Sequence, residues 1–568
     1  MNIQAIDQSL EHLVEIEVDP KWADGSSFVH TDIEGAPEIF NDVFLRAQRK
    51  LAQDIPVSKV MSLVDGKYPT DTSKHERRRV GLTAPTWDST SCISCNACVN
   101  ACPHQSIRNF AVSEEQKADL PEGFVTTPLK GKKNLEHRIQ VAPNDCLGCT
   151  VCTTVCPKNC LTMEPTQEVA EKEEQNWDYA IEKLDNEKLG LGNNKNYKDL
   201  GFKEPYLFSS GACMGCNQPV ITAVLYRMFG QSVVLAQAVG CSMVWQNFAP
   251  ISATGRDKKG HGPTLSTSLF EDNAEFAFGM YVGTERRRKR LLTAAEQFST
   301  KNTGEFAELV GKWTGSFNDL YQSKEIGDVI LEKLPTQDTS DKFIKLLNDE
   351  QDLLGKKVYA CIGGDGWAND IDVHGLLHVL ASGANIKVIV FDTEVYSNTG
   401  GQASKATPQG ASGKFIMGGN KRSKMDIAQM VTSFGNVYVG SISSGYDMNH
   451  TIKTIREAVE YDGPALVVAL TPCIAWGVDL SNSVSIMKEA VETGFWPLYR
   501  FDPRLKGKKN PLQVDYKKEL KPLQPFLAKQ GRFSGLQRSN EKVATELQGE
   551  LEKHVVERHQ RLLTLSQL

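Results

Sequence analysis

The chain carries fourteen cysteines: Cys92, Cys95, Cys98 and Cys102, then Cys146, Cys149, Cys152, Cys156 and Cys160, then Cys213, Cys216, Cys241, Cys361 and Cys473. Eight of them form two runs of one pattern, Cys92-Ile-Ser-Cys95-Asn-Ala-Cys98-Val-Asn-Ala-Cys102-Pro103 and Cys146-Leu-Gly-Cys149-Thr-Val-Cys152-Thr-Thr-Val-Cys156-Pro157. Thiolate sulfur is a soft donor for iron. A repeated C-x2-C-x2-C-x3-C-P run lets three cysteines grip one 4Fe-4S cube while the fourth grips the other. Structural zinc sites pair two C-x2-C knuckles across a longer gap, and disulfides do not persist in a reduced cytosol, so a doubled run closed by proline fits neither. The residues between the ligands include Ile93, Ala97, Leu147 and Gly148. They keep water from the sulfurs and leave backbone N–H groups free to reach them, and both set a cluster's potential.

A second constellation begins at Gly363-Gly364-Asp365-Gly366-Trp367. Glycines let the backbone approach a diphosphate closely, and an Asp at a strand terminus can ligate the Mg²⁺ that bridges two phosphates. Alone, this motif reads as a turn needing positive φ. It is followed by a second polar, glycine-containing loop, Asp392-Thr393-Glu394-Val395-Tyr396-Ser397-Asn398-Thr399-Gly400-Gly401-Gln402. From that loop the Thr393 hydroxyl and a backbone carbonyl can complete the oxygen shell of the metal. The combined spacing resembles the diphosphate half of thiamine diphosphate enzymes, and the cysteine runs resemble those of bacterial ferredoxins.

Elements must bring these groups together. Residues 233–239, 357–362, 386–391, 437–442 and 465–470 read as buried strands, rich in Val and Ile and bounded by Gly, Asp or Pro. Helical stretches at 373–381, 425–434 and 448–461 alternate with them. The pattern predicts an α/β domain with a parallel, doubly wound sheet and its site at the carboxyl ends of the strands. Cys241 and Cys473 follow two of those strands, as Asp365 follows a third, and Cys213-Met-Gly-Cys216 precedes the first. Four thiolates from three segments are thereby placed to hold a third 4Fe-4S cube beside the diphosphate site. Cys160, after the closing proline, and Cys361, inside a strand, read as ordinary buried cysteines.

The expected organisation is an amino-terminal segment over 1–85, helical near 38–52, then a small α+β ferredoxin-like two-cluster domain over 86–165. A polar connector over 166–203 follows, then the α/β domain over 204–568, with a helical insertion near 286–351 and one terminal helix from 540. The length of 568 residues and 40% hydrophobic content suit several cores and exclude a disordered chain or a small disulfide scaffold. With 64 Lys and Arg against 70 Asp and Glu, the net charge of -6 gives no case for nucleic acid. No apolar run is long enough for a membrane span, and the acidic start (Glu11, Glu15, Glu17, Asp19) lacks the features of a signal peptide, so the reading is cytoplasmic. The basic run Arg286-Arg-Arg-Lys-Arg290 reads as a solvated helix face, and His104 as structural or exposed. Arg77-Arg78-Arg79 is a candidate for steering an acidic partner.

These motifs, with Gly211-Ala-Cys-Met-Gly-Cys216, Gly240-Cys241-Ser242, Ser268-Leu-Phe-Glu-Asp272 and Phe501-Asp-Pro-Arg-Leu505, resemble the carboxyl-terminal half of the pyruvate:ferredoxin (or flavodoxin) oxidoreductases. The resemblance runs from about Leu51 to the end. It implies Cys213, Cys216, Cys241 and Cys473 as ligands of a cluster next to thiamine diphosphate. Asp365, Thr393 and the Val395 carbonyl are implied as Mg²⁺ ligands, Gly364, Gly366, Trp367, Gln218 and Cys241 as cofactor contacts, and Asn398 as the residue facing substrate and the thiazolium ring. In that family pyruvate is oxidatively decarboxylated to acetyl-CoA, and electrons pass through three clusters to ferredoxin or flavodoxin. The family's amino-terminal domains, which complete the thiamine site and bind CoA, are not in this stretch, so the chain reads as one piece of a split enzyme or as a truncated product, with a partner chain in an oligomer the favoured source of those domains. Where the family has Gly-Glu after the CxxC pair, this chain has Asn217-Gln218, a neutral amide in place of a carboxylate. Two other readings use the same scaffold: a non-catalytic iron-sulfur subunit feeding another enzyme, and the matching subunit for another 2-oxoacid.

Overall fold

The computed structural model describes residues 2–9, 11–23, 31–77, 79–193, 196–247 and 251–568. Arg78 of the basic triplet lies outside the described residues. The chain divides into two units, Met1–Tyr68 and Pro69–Leu568. In the first, a helical segment runs through Phe40–Leu45 and Arg46–Gln48, inside the stretch expected to be helical. Lys59 pairs there with Glu38 and Asp42.

The second unit starts with the region of the two cysteine runs. Strand β1 (Thr83–Trp87) pairs antiparallel with β5 (Leu161–Pro165), so the ferredoxin-like fold begins before residue 86. Strand β2 (Ile107–Ser113) pairs with β4 (Leu135–Val141), and the short β3 (Thr127–Pro128) adds to β4. The sequence repeat is a structural repeat: each run enters a short helix, Ala97–Ala101 or Val151–Thr154, through a left-handed residue at the equivalent place, Asn96 (φ 61) or Thr150 (φ 61). The connector is helical over Thr166–Lys183, burying Val169, Trp177 and Ala180.

The α/β domain is built on strands β6 (Val233–Gln237), β7 (Thr264–Ser266), β8 (Val358–Gly364), β9 (Ile386–Asp392), β10 (Tyr438–Ile442), β11 (Ala465–Leu470), β12 (Tyr499–Phe501) and β13 (Leu512–Val514), in the order β13-β12-β10-β11-β9-β8-β6-β7. From β10 to β7 all pairs are parallel, whereas β12 and β13 add as an antiparallel edge pair. Alternate residues of each central strand enter different cores. Val388 and Val390 face one cluster with Cys361 and Trp367, while Ile389 and Phe391 face another with Ile362 and Tyr226. Burial on both faces explains the continuous Val/Ile runs.

The helical insertion begins earlier than expected, with Asn273–Lys301, and continues through Glu305–Ser316, Gln322–Lys333 and Lys342–Asp349 around its own core. The run 286–290 lies in its first helix but is not uniformly solvated. Arg287 and Arg290 pair with Glu350, while Arg288 is buried and donates to the carbonyls of Leu353 (3.1 Å) and Phe317 (2.5 Å), because its guanidinium satisfies carbonyls left free at turn ends. The terminal helix spans Glu541–Gln567. No described helix is long and apolar enough to cross a membrane.

Candidate functional site

The parallel strands deliver four groups to one edge. Cys241, Asp365, Thr393 and Cys473 follow β6, β8, β9 and β11, and these four strands are neighbours in the sheet. Asp365 is fully buried. Its Oδ1 accepts from the Thr393 N–H (3.0 Å) and Thr393 Oγ1 (2.8 Å), and its Oδ2 from Ser404 Oγ (2.5 Å). Thr393 Oγ1 also lies 3.0 Å from the Val395 carbonyl oxygen and 2.6 Å from Ser397 Oγ. A carboxylate, a hydroxyl and a carbonyl thus converge, an all-oxygen set of the kind Mg²⁺ takes. Burial, and then repulsion from Asp392, pushes the Asp365 carboxyl up to about 7. A carboxyl so placed gains its charged form when a cation arrives. A β-carbon added at Gly364 or Gly240 would meet nothing within 4 Å, so the ends of β8 and β6 border open space. These residues fit a Mg²⁺-anchored diphosphate.

Behind Thr393 stands a buried charge network. Lys424 pairs with Asp392 (2.7 Å) and Glu394 (2.8 Å), and Arg532 pairs with Glu394 (2.6 Å) while stacking on Trp476 (3.8 Å). Trp476 Nε1 donates to the Thr393 carbonyl at 2.6 Å. Burial works against charge on Glu394, but Lys424 and Arg532 hold its carboxyl below the usual range. The sequence assigns Ser404 no separate role, although it lies in the signature that continues the Asp392 loop to Pro408, and it does not mark Lys424, Trp476 or Arg532, which reach the site through tertiary contact. Trp367 is buried with Nε1 on Asp372 (2.7 Å). Gly366 is closed over by the Tyr396 ring. The oxygen of Gln218 accepts from Trp245 Nε1 (2.9 Å), and Asn398 is exposed.

The cysteines gather in three groups. Around Cys98 lie Cys92, Cys95 and Cys156. Around Cys152 lie Cys102, Cys146 and Cys149. In each group three cysteines come from one run and the fourth from the other. Cys216 is surrounded by Cys213, Cys241 and Cys473, and Asp365 acts on Cys241 and Cys473. Burial first, and neighbouring thiols next, push Cys146 and Cys241 up to about 12. Only bound cations can turn such groups into thiolates. Among the described residues no three His, Cys, Asp or Glu side chains close on a single ion. An all-sulfur donor set of four fits iron-sulfur cubes.

The second and third groups adjoin. The Cys149 sulfur accepts from the Gly215 N–H, between Cys213 and Cys216. Gly215 has φ +81 and a β-carbon there would lie 2.4 Å from the Leu480 carbonyl, so only glycine permits this approach. His104, fully enclosed, lies 3.2 Å from the Ala212 carbonyl through Nε2, and burial pushes it down to about 4; it is buried rather than exposed. Cys361 is buried in β8 with Asn273 on its sulfur (3.1 Å). Cys160 lines the first cage, its N–H donating to Cys156 Sγ (3.2 Å). Arg77 is not free to steer a partner, because Asp145 and Glu174 both claim its guanidinium.

Residues 345–469 match the thiamine pyrophosphate enzyme C-terminal TPP binding domain, and residues 91–160 match the 4Fe-4S dicluster domain. The chain is 39% identical over 558 residues to the pyruvate:ferredoxin oxidoreductase of Moorella thermoacetica, covering 96% of this chain and 47% of that protein. It is 36% identical over 570 residues to the pyruvate-flavodoxin oxidoreductase of a Nostoc species, covering 96% and 47%. It is 37% identical over 557 residues to the mitochondrial pyruvate dehydrogenase (NADP+) of Euglena gracilis, covering 96% and 30%. The chain spans about half the length, or less, of these curated relatives.

Proposed function

We propose that this chain, a homologue of the pyruvate:ferredoxin and pyruvate-flavodoxin oxidoreductases along nearly all of its own length, is the thiamine- and cluster-bearing part of a pyruvate oxidoreductase that forms acetyl-CoA and delivers electrons to ferredoxin or flavodoxin. The observation that carries this reading is the meeting of the Cys213, Cys216, Cys241 and Cys473 thiols with the Asp365–Thr393 oxygen site at the ends of neighbouring strands. The working parts are a ferredoxin-like domain reaching to about residue 165 and a thiamine diphosphate-binding α/β domain from about residue 204.

In this reading Asp365, Thr393 Oγ1 and the Val395 carbonyl hold Mg²⁺, with Ser404 fixing the second Asp365 oxygen. The three thiol groups hold three 4Fe-4S cubes. When bound, thiamine diphosphate supplies the electron sink for decarboxylation and the cubes supply one-electron carriage. The chain's own contribution is placement. Gly215 holds the Cys213 group against the Cys149 group, and Cys98 adjoins Cys152, so the cages form one string leading away from Asp365. The last cage keeps Cys92, Cys95 and Cys156 partly exposed, which suits an outlet to a soluble carrier.

Asn398 is exposed at the open side, with exposed Met214, Phe415 and Ile474 in the segments that border the site. We assign this apolar border to the complementary half of the enzyme, which closes over the coenzyme and brings the groups that bind pyruvate and CoA. The test is reconstitution. The anaerobically loaded chain, combined with such a half, is expected to reduce ferredoxin or flavodoxin with pyruvate and CoA. Turnover with 2-oxoglutarate and none with pyruvate would overturn the substrate, and no turnover with either would overturn the reading.

A further inference from the structure

Two buried arginines that act on one another, Arg227 beside Cys102 and Arg108 beyond it, have no part in holding ligands. Arg227, 2% exposed, sits in the last turn of the helix Gln218–Phe229 of the α/β domain and reaches across into the ferredoxin-like domain. Its Nη1 donates to Asn100 Oδ1 (3.1 Å) and its Nη2 to Gln105 Oε1 (2.8 Å). Gln105 Nε2 in turn donates to the Cys102 carbonyl (2.5 Å). At hydrogen-bond distance Arg227 therefore meets neutral acceptors only among the described residues, while Arg108, Glu204 and, of the cysteines, Cys102 act on it through charge. Arg108, in β2 and 6% exposed, pairs with Glu204 (2.9 Å) and packs over Phe208 (4.3 Å) and Trp177 (5.4 Å). Asp71 and Asp145 act on Arg108 from further away, and Asp145 is itself paired with Arg77. Two guanidiniums against one close carboxylate leave an excess positive charge. The Nε of Arg227 and the Nε and Nη2 of Arg108 have no hydrogen-bond partner among the described residues.

Burying an unneutralised guanidinium has a cost, and a domain clamp does not need the charge. A cube that accepts an electron becomes more negative. A fixed positive charge in a water-excluded, low-dielectric region favours that reduced form and is little screened by salt. We propose that Arg227 and Arg108, opposed by Glu204, tune the potential of the middle cluster, the one held by Cys102, Cys146, Cys149 and Cys152. They act through the cluster and touch no substrate. The inference rests on the cluster assignment of the proposed function.

The test is an EPR-monitored redox titration of the full chain loaded anaerobically with iron and sulfide. Arg227→Met is expected to move one reductive step to lower potential, changing the reduced-to-oxidised ratio at fixed poise by about tenfold, or about 59 mV for a one-electron couple. Arg227→Lys, which keeps the charge, is expected to restore most of it, and Glu204→Gln to move the same step upward. Cys149→Ser identifies that step by altering its signal alone. Should Arg227→Met load less iron, Glu204→Gln and Arg227→Lys decide. An unmoved step in Arg227→Met and Glu204→Gln, shifts of one sign in both, or movement of a different step overturns the inference. A parent chain with no 4Fe-4S signals at all would instead remove the cluster assignment beneath it.

Discussion

A carboxyl buried at the end of a strand is unstable as an anion unless something positive reaches it, and among the described residues Asp365 has only hydroxyl and N–H donors at hydrogen-bond distance, with Lys424 acting on it from further away. Its environment therefore calls for a cation. Asp365→Asn keeps an acceptor for Thr393 while removing the charge. Mg²⁺ with thiamine diphosphate is expected to raise the melting temperature of the parent chain and to leave that of Asp365→Asn unmoved. At ligand 100-fold above its Kd the stabilisation lost is about 2.7 kcal/mol. Equal shifts in both proteins would take Asp365 out of the site. Asp365 and Thr393 were legible in the sequence because a glycine-flanked Asp and a polar loop each follow a Val/Ile strand, and chain position alone puts them at the same sheet edge. Arg227 was not. Its acceptors, Asn100 and Gln105, are more than a hundred residues away in sequence, and no local pattern marks a guanidinium that crosses between domains.

Among the elements, β9 has a role at both ends. Asp392 and Thr393 close its carboxyl end at the site, while Lys387 lies buried near its start, donating to the carbonyls of Tyr461 (2.6 Å) and Gly463 (2.8 Å). Burial pushes the Lys387 ammonium down to about 7. Between pH 7 and the ordinary lysine range the unfolded chain binds more protons at this residue than the folded one, so its contribution to stability rises with pH across that window and is flat below it. Lys387→Met removes the titrating group. The unfolding free energy of the parent, relative to Lys387→Met, is expected to climb by roughly 1.4 kcal/mol per pH unit between about pH 7.5 and 9.5, read from denaturant midpoints. Parallel profiles would contradict it. Strands were legible where Val and Ile run unbroken. The edge strands β12 and β13, three residues each, are too short to show a period, and their antiparallel pairing is set by the fold-back between them rather than by composition.

On the scale of the whole molecule, every cysteine and every oxygen group proposed above as a ligand lies in the unit Pro69–Leu568. A chain beginning at Pro69 is therefore expected to load as much iron as the full chain, measured as iron and acid-labile sulfide per polypeptide. A drop of about four irons or more would show that residues 1–68 are needed to hold a cage. The two cysteine runs were legible without any structure, because three cysteines of each group are local in sequence and the fourth follows from the repeat. The third group depended on the sheet order, since Cys241 and Cys473 are brought near Asp365 only because β6, β8, β9 and β11 are neighbours. That adjacency is the central claim, and the reduced-state EPR spectrum of the anaerobically loaded chain, recorded with and without Mg²⁺ and thiamine diphosphate beside an iron count, tests it most directly. Three cages predict about twelve irons per chain, with the coenzyme perturbing the one signal that Cys473→Ser abolishes. About eight irons, or a spectrum indifferent to the coenzyme, would contradict it.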